Sequence, residues 1–115
     1  MNLTELAGEL REFAKERDWE QFHSPKNLSM ALSVEVAELV EHFQWLTEEQ
    51  SASLEAEDLA SASEEIADIQ IYLTRLADRL GVDIGEAVTR KLDLNARKYP
   101  IAKAHGSALK STKLK

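Results

Sequence analysis

The sequence predicts an all-α protein, a four-helix bundle with short links between its helices. Apolar residues recur every three or four positions along most of the chain, and no stretch alternates apolar and polar residues as a strand would. Residues 59–80 carry an apolar heptad pattern, which is typical of a helix packed lengthwise in a bundle. The length of 115 residues is enough for one domain with one core.

The first helix is predicted over residues 2 to about 17. Asn2 followed by Glu5 has the pattern of a capping box, in which side chains accept hydrogen bonds from free backbone N–H groups at the helix start. The apolar face of this helix carries Leu3, Leu6, Ala7, Leu10, Phe13 and Ala14. Residues 18–23 break the spacing and are predicted to form a loop.

The second helix is predicted from Pro25 to Trp45. Ser24 is suited to cap it, and Pro25 to occupy its first position, where a backbone N–H is not needed. Its apolar positions are Leu28, Ala31, Leu32, Leu39, Phe43 and Leu46. Thr47 with Gln50 repeats the capping pattern, so the connection that runs to about residue 55 has room for a short helix.

The heptad defines a third helix, and a fourth follows closely. Gly81 is placed to end the third helix, because glycine readily adopts the left-handed conformation that closes many helices. Asp83 with Glu86 caps the fourth helix, and Pro100 prevents its continuation. The heptad positions are Leu59, Ile66, Leu73 and Leu80, with Ala62, Ile69 and Leu76 between them.

Composition excludes several classes of protein. The net charge of −7 argues against sequence-independent binding of a nucleic acid polymer, which needs a basic surface. Cysteine is absent, so disulfides and thiolate metal sites are excluded. No apolar run is long enough to span a bilayer, and residues 1–10 show no secretory pattern. We therefore expect a cytoplasmic protein with no membrane partner.

The domain is predicted to end near residue 100 and to need a second copy of the chain. Residues 101–115 have the composition of a basic, disordered tail that follows a domain over residues 1–100. The large apolar groups Phe43, Trp45, Leu46 and Tyr72 exceed what a chain this short needs for its own core. A dimer or higher oligomer that completes the core is the expectation.

Two pairs of carboxylates, Glu35/Glu38 and Glu65/Asp68, are the strongest functional signal. Each pair has three-residue spacing on a predicted helix, so both members point the same way, and each is embedded among apolar residues. If the two helices pack together, four acidic groups converge and must bind cations or take up protons. Oxygen ligands suit Mg²⁺ or Mn²⁺, and such sites usually serve phosphate substrates. Solvated helix faces are the competing interpretation.

Aromatic and basic residues suggest a nucleotide pocket around this site. Trp19, Phe22 and His23 precede the acidic helix, and Trp45 and Tyr72 flank the carboxylate pairs, so that these rings can stack on a base. Packing in the core is the alternative for these rings. Near the end of the fourth helix stand Lys91, Asn95, Arg97 and Lys98. They are interpreted either as phosphate or sugar contacts or as cations that interact favourably with the helix dipole.

Five segments, taken in order, carry a family resemblance. They are RDWEQFHSPKNL at residues 17–28, EVAE at 35–38, FQW at 43–45, EIAD at 65–68 with Tyr72 after it, and KLDLNARKYP at 91–100. In this order and spacing they resemble the MazG-like all-α nucleotide pyrophosphohydrolases, and among these most closely the dCTP pyrophosphatase branch. The resemblance covers about residues 13–100.

The resemblance implies an activity and a set of roles. It implies Mg²⁺-dependent hydrolysis of (deoxy)nucleoside triphosphates to the monophosphate and pyrophosphate, by a dimer or tetramer whose subunits share sites. By the same resemblance Glu35, Glu38, Glu65 and Asp68 are the metal ligands. Glu38, with Glu35 beside it, is the candidate to orient or deprotonate the attacking water. The resemblance also implies that the aromatic residues and His23 line the base and sugar pocket, and that Asn95 and the neighbouring cations lie at the substrate end.

Two other functions and the choice of base stay open at this stage. A helical interaction module without catalysis would show a long exposed apolar seam and indifference to Mg²⁺. A di-metal carboxylate protein of the ferritin type would use E-x-x-H pairs, which these two helices lack. The dCTP pyrophosphatases of vertebrate type carry a pocket histidine in the first helix, at the position where this chain has Leu10. The preferred base is therefore left undecided.

Overall fold

Helices account for all the regular secondary structure of the protein. The computed structural model describes all 115 residues, Met1–Lys115, and contains no strand. The elements are α1 (Leu3–Glu16), α2 (Pro25–Glu41), α3 (Glu48–Ser51), α4 (Ala56–Leu80), α5 (Ile84–Lys98), α6 (Ile101–Ala104) and a 3₁₀ turn (Ser111–Lys113). The predicted all-α class is confirmed.

Local capping explains why the helices begin where the sequence predicts. The side-chain oxygen of Asn2 accepts a hydrogen bond from the backbone N–H of Glu5 at 2.8 Å, and Ser24 Oγ accepts from the N–H of Asn27 at 3.1 Å. Asp83 caps α5 in the same way at 2.9 Å. At α3 the capping box is complete, because Thr47 and Gln50 exchange both side-chain-to-backbone bonds. The four predicted helix starts are confirmed.

The end of α2 was predicted four residues too late. The helix ends at Glu41 and not at Trp45, and the chain continues in turns. The N–H groups of His42 and Phe43 bond three residues back, to the carbonyls of Leu39 and Val40, which tightens the backbone after the last helical turn. No glycine or proline marks this position, so the sequence carried no stop signal.

The chain divides into two units, Met1–Val82 and Asp83–Lys115. In the first unit α4 is the central element, because it packs against both α2 and α1. Few residues are fully buried, and most of them are small: Ala14, Leu28, Ala62, Thr74, Arg75 and Ala77. The second unit contains α5, α6 and the 3₁₀ turn. Residues 101–115, predicted as a disordered tail, thus include two short ordered elements, while the division into a domain and a tail stays a prediction.

Two helices close with the same backbone motif but with different residues. After α4, Gly81 has a φ of 71°, and Val82 N–H reaches back to the carbonyl of Ala77 at 2.8 Å. After α1, Asp18 takes the left-handed position with a φ of 54°, and Trp19 N–H bonds the carbonyl of Ala14 at 2.8 Å. Both are Schellman closures. The glycine was predicted to end its helix, but the aspartate was not, because left-handed backbone is uncommon for residues other than glycine.

The heptad of α4 separates into an inner and an outer row. Ala62 is buried, and Ile69 and Leu76 are partly buried, as expected for positions that face α1 and α2. The outer stripe, defined as Leu59, Ile66, Leu73 and Leu80, is exposed, with fractions between 39% and 58%. The prediction of a helix packed along its full heptad therefore holds within the chain for only one of the two rows. No helix combines the length and apolar character that crossing a membrane requires.

Gly81 and Gly8, two of the three glycines with open surroundings, provide a test of the helix closure. We expect Gly81→Ala to lower the free energy of unfolding by about 1 kcal/mol, because an L-residue disfavours the left-handed conformation. An added Cβ would meet no atom within 4 Å, so no steric clash contributes. Gly8→Ala is the matched control: Gly8 lies inside α1 with equally open surroundings, and alanine should stabilise it by roughly 0.5–1 kcal/mol. Urea unfolding of both variants measures the pair, and changes of the same sign would contradict the assignment.

Candidate functional site

Packing of α2 against α4 brings three of the predicted carboxylates together. Glu35 and Glu38 lie one turn apart on α2, and Glu65 lies on α4. One oxygen from each can be chosen so that all three atoms lie within 4.8 Å of one another. Because like charges this close repel strongly at low dielectric, the cluster is costly unless a proton or a cation offsets the charge.

Burial makes this crowding acute for Glu35 and Glu65. Oε2 of each is buried and has no hydrogen-bond partner. Burial, with the neighbouring carboxyl groups of Glu65, Glu38 and Asp68, raises the pKa of Glu35 to about 7. Burial is also the main cause that raises the pKa of Glu65. At neutral pH the cluster therefore holds protons more readily than ordinary carboxylates do.

The cluster has the donor chemistry of a site for a hard divalent cation. Its atoms are carboxylate oxygens, which suit Mg²⁺ or Mn²⁺, and the two unpartnered oxygens are free to act as ligands. Asp68, the fourth predicted ligand, lies one turn after Glu65 on the same helix and is partly buried. It is not among the three whose oxygens meet, but its charge contributes to raising the pKa of Glu35 and Glu65. The residues present thus fit such a cation.

The loop after α1 holds one of the two predicted groups of aromatic residues. Trp19 packs edge-on against Phe13 with ring centroids 5.7 Å apart, and its ring lies 6.0 Å from that of His23. Trp19 is 42% exposed and Phe22 is 60% exposed, so neither ring is committed to a core. Each ring therefore has surface available to a ligand, and the choice between a base pocket and a hydrophobic plug stays a prediction.

A network of arginines ties this loop to α4. Arg75 Nε donates to Nδ1 of His23 at 3.3 Å, and Arg79 Nε donates to the backbone oxygen of His23 at 3.1 Å. Asp78 accepts from Arg75 at 3.3 Å and from both nitrogens of the Arg11 fork, at 2.8 and 3.1 Å. Burial, followed by the positive charges of Arg75 and Arg79, lowers the pKa of His23. Arg11 is the main cause that lowers the pKa of Asp78.

The other residues predicted to contact the substrate lie after α2, on α4 and on α5. Trp45 lies in the turns after α2 and is 86% exposed, while Tyr72 is partly buried on α4, one turn after Asp68. Lys91, Asn95 and Lys98 lie on α5 in the second unit, where Lys91 and Lys98 are exposed and Asn95 is partly buried. Arg97 of the same set pairs with Asp93 at 3.1 Å.

Sequence reasoning missed the arginine network altogether. Arg75 lies inside α4, and its spacing of three from Asp78 is a local signal that an ion pair could form. The partners in α1 and in the loop lie 67 and 52 residues away in the chain, so no spacing rule could identify them.

Comparison with known proteins agrees with the resemblance that the motifs carry. A model described as the MazG-like family matches residues 30–114. The chain is 50% identical over 105 residues to dCTP pyrophosphatase 1 of Bos taurus and 48% identical over 105 residues to that of Homo sapiens. In each case the match covers 90% of this chain and 62% of the relative, so the chain spans less than two thirds of the length of these curated proteins. A solved pyrophosphatase from Archaeoglobus fulgidus has a TM-score of 0.79 and 44% identity, covering 84% of this chain and 91% of that one.

The raised pKa of Glu35 predicts how stability varies with pH in the presence of chelator. Between the ordinary value of 4.5 and about 7, the folded protein keeps a proton that the unfolded chain has released. The contribution of Glu35 to the free energy of unfolding is therefore greatest below pH 4.5 and falls as the pH rises through 7. Urea unfolding at pH 5 to 8 should show this fall in the wild type and a smaller one in Glu35→Gln.

The difference between the two proteins reports on Glu35 together with Glu65, whose carboxyl group interacts with it. Contributions of His23 and Asp78 to the pH dependence are common to both and cancel when the curves are subtracted. Added Mg²⁺ should stabilise the wild type more at pH 8 than at pH 5.5, because the cation competes with protons for the cluster. Equal pH slopes in the two proteins would contradict the raised pKa.

Proposed function

Because this chain belongs to the MazG-like family, we propose that it hydrolyses (deoxy)nucleoside triphosphates to the monophosphate and pyrophosphate. The observation that carries the proposal is the group of three carboxylates with two buried, unpartnered oxygens at the contact of α2 with α4. The relatives named as dCTP pyrophosphatases make a dCTP-like nucleotide the leading substrate. Control of the nucleotide pool in the cytoplasm is the role that follows.

The proposed site needs a divalent cation, Mg²⁺ or else Mn²⁺. Glu35, Glu38 and Glu65 would hold it, and Asp68 is proposed as the fourth ligand from its place one turn after Glu65. When bound, the cation supplies positive charge that offsets the charge on the phosphate oxygens. The side chains supply only oxygen ligands, which suit hard cations such as Mg²⁺ and Mn²⁺.

Hydrolysis at the α-phosphorus assigns a role to one of the glutamates. We assign Glu38 to orient a water molecule and accept its proton, with Glu35 beside it in the same cluster. The water oxygen forms a bond to the α-phosphorus while the bond from that phosphorus to the bridging oxygen breaks. Pyrophosphate leaves, and the monophosphate remains.

The aromatic residues and the cations of α5 complete the proposed substrate site. Trp19, Phe22, His23, Trp45 and Tyr72 would hold the base and sugar, and the exposed rings of Trp45 and Phe22 have apolar faces available for stacking. Lys91, Asn95 and Lys98 are proposed to contact the phosphates or the sugar. An exposed lysine is suited to this as a mobile positive charge.

We also propose that the chain works as a homodimer or as a tetramer built from two dimers. The outer stripe of α4 presents four exposed apolar side chains, spaced seven residues apart, on one helix face, and exposed apolar patches often mark interfaces between proteins. A second copy packed there would bury the heptad row left open within the chain. Sedimentation equilibrium at micromolar concentration should therefore give at least twice the mass of the chain, and a monomer would contradict the proposal.

Product analysis tests the reaction. The protein is incubated with an equimolar mixture of common nucleoside triphosphates, with Mg²⁺ or with chelator, and the products are separated by chromatography. We expect monophosphate and pyrophosphate, formed only with the metal, with one base consumed first. Diphosphate and phosphate would place the cleavage elsewhere. No turnover of any nucleotide would favour a helical interaction module without catalysis.

Three variants connect that reaction to the site. Glu35→Gln and Asp68→Asn should reduce turnover on the order of 100-fold or more while helical content is retained, because each removes a charged oxygen ligand. Glu41→Gln is the matched control, since Glu41 lies three residues after Glu38 on α2 but is exposed and outside the cluster. An equal loss in all three variants, or unfolding of the first two, would show that these carboxylates are structural.

A further inference from the structure

Arg75 is the one charged residue that the chain buries fully, and its contacts suggest a purpose. It is 4% exposed, and Thr74 beside it on α4 is also buried. A buried guanidinium is costly unless its N–H groups find partners. One partner is Asp78 at 3.3 Å, and the other is Nδ1 of His23 at 3.3 Å, 52 residues earlier in the chain.

We propose that Arg75 is a positioning residue that holds His23 as a neutral ring with its proton on Nε2, so that His23 offers the substrate base a single N–H donor. This inference rests on the proposed function, because it takes the base to be the group that His23 meets. Arg75 lies outside the set of predicted pocket residues, yet it would determine which nitrogen of His23, a pocket residue, donates a hydrogen bond.

The choice of tautomer follows from the donor inventory. A guanidinium carries five N–H donors and no acceptor, and it keeps its charge at any pH a protein tolerates. A ring nitrogen that meets it can therefore only accept, so Nδ1 of His23 must present its lone pair. In a neutral imidazole the proton then lies on Nε2.

Charges around the ring favour the neutral form. Arg75 and Arg79, both on α4, approach His23 at its side chain and at its backbone oxygen. Asp78, the carboxylate of the network, accepts hydrogen bonds from Arg11 and Arg75. Glu20, a second carboxylate nearby, lines the same cavity of about 250 Å³ as these arginines. An imidazolium would stand beside two guanidinium groups, which agrees with the lowered pKa of His23.

The ring is also fixed in place. The backbone oxygen of His23 accepts a hydrogen bond from Arg79. The backbone N–H of His23 donates to the carbonyls of Trp19 and Glu20, at 3.1 and 3.3 Å. The Trp19 ring lies 6.0 Å away, tilted by 59°. A base stacked on Trp19 would lie near a ring whose free N–H has a set direction, and such a donor selects bases that present an acceptor at that point.

Nitrogen NMR of the imidazole rings tests the tautomer directly. The three histidines are separated by their ¹⁵N shifts, and His23→Gln identifies the His23 signals. At pH 7 the wild type should show an unprotonated Nδ1 and a protonated Nε2 in His23. Arg75→Met should convert this to a mixture of tautomers, and Arg75→Lys should retain most of the wild-type pattern because it keeps a cationic donor.

Arg79→Met is the matched control for these spectra. It removes the neighbouring cation and the bond to the backbone of His23, yet it leaves the donor to Nδ1 in place, so the tautomer should not change. A wild-type His23 protonated at Nδ1 would overturn the proposal without any variant and without any statement about activity. A tautomer change in Arg79→Met as large as that in Arg75→Met would also overturn it.

Kinetics with two nucleotides test the consequence for the base. For the preferred nucleotide, Arg75→Met should raise KM by roughly fivefold with a smaller effect on kcat, as expected for the loss of one hydrogen bond. The preference over a second nucleotide should shrink by a similar factor, and Arg75→Lys should restore much of it. An equal loss of kcat/KM for both nucleotides would show general damage and overturn the role in base selection. If the wild type hydrolyses neither, the proposed function fails, and that outcome is distinct from any result of the NMR experiment.

Discussion

The close approach of Glu35 and Glu65 across the contact of α2 with α4 is the constraint on which the rest of the molecule depends. Two carboxyl oxygens are buried there without a hydrogen-bond partner, and Glu38 adds a third acidic group. Such an arrangement is destabilising for the chain alone, because desolvation and mutual repulsion both oppose ionisation. Either a proton or a bound cation offsets these costs, and under the proposed function a hard cation does so when the nucleotide binds.

Helix α4 connects this acidic cluster to the loop that follows α1. It carries Glu65 and Asp68 at one point and Arg75, Asp78 and Arg79 about 15 Å farther along, from its rise of 1.5 Å per residue. The acidic point is where the proposed cation would bind, whereas the basic point fixes a loop that contains Trp19 and His23. One rigid helix therefore sets the spacing between the proposed metal site and the proposed base pocket, which is the kind of support that a precise site requires.

The single chain has a small core, while larger apolar side chains lie exposed on the outer side of α4. Small residues such as Ala14, Ala62 and Ala77 fill the interior, so α1, α2 and α4 bury little apolar volume between them. Larger apolar groups are turned outward, among them the outer stripe of α4 and Trp45. The proposed second copy would cover these surfaces and stabilise the fold, since buried apolar area is the main favourable contribution to folding.

The all-α class, the starts of α1, α2, α3 and α5 and the end of α4 could be predicted from the sequence, whereas the start of α4 at Ala56 has no side-chain cap to mark it. These depend on local chemistry: Ser24, Thr47 and Asp83 accept hydrogen bonds from N–H groups three residues away, and Gly81 adopts a conformation that its own backbone permits. The two carboxylate pairs were likewise visible, because helical periodicity fixes which residues share a face. The folded structure was needed to show that Glu35, Glu38 and Glu65 meet while Asp68 lies outside the group of three, and that His23 accepts from Arg75. These outcomes depend on how helices distant in the chain pack, and the free energy of that packing is spread over many weak contacts that no short pattern of residues records.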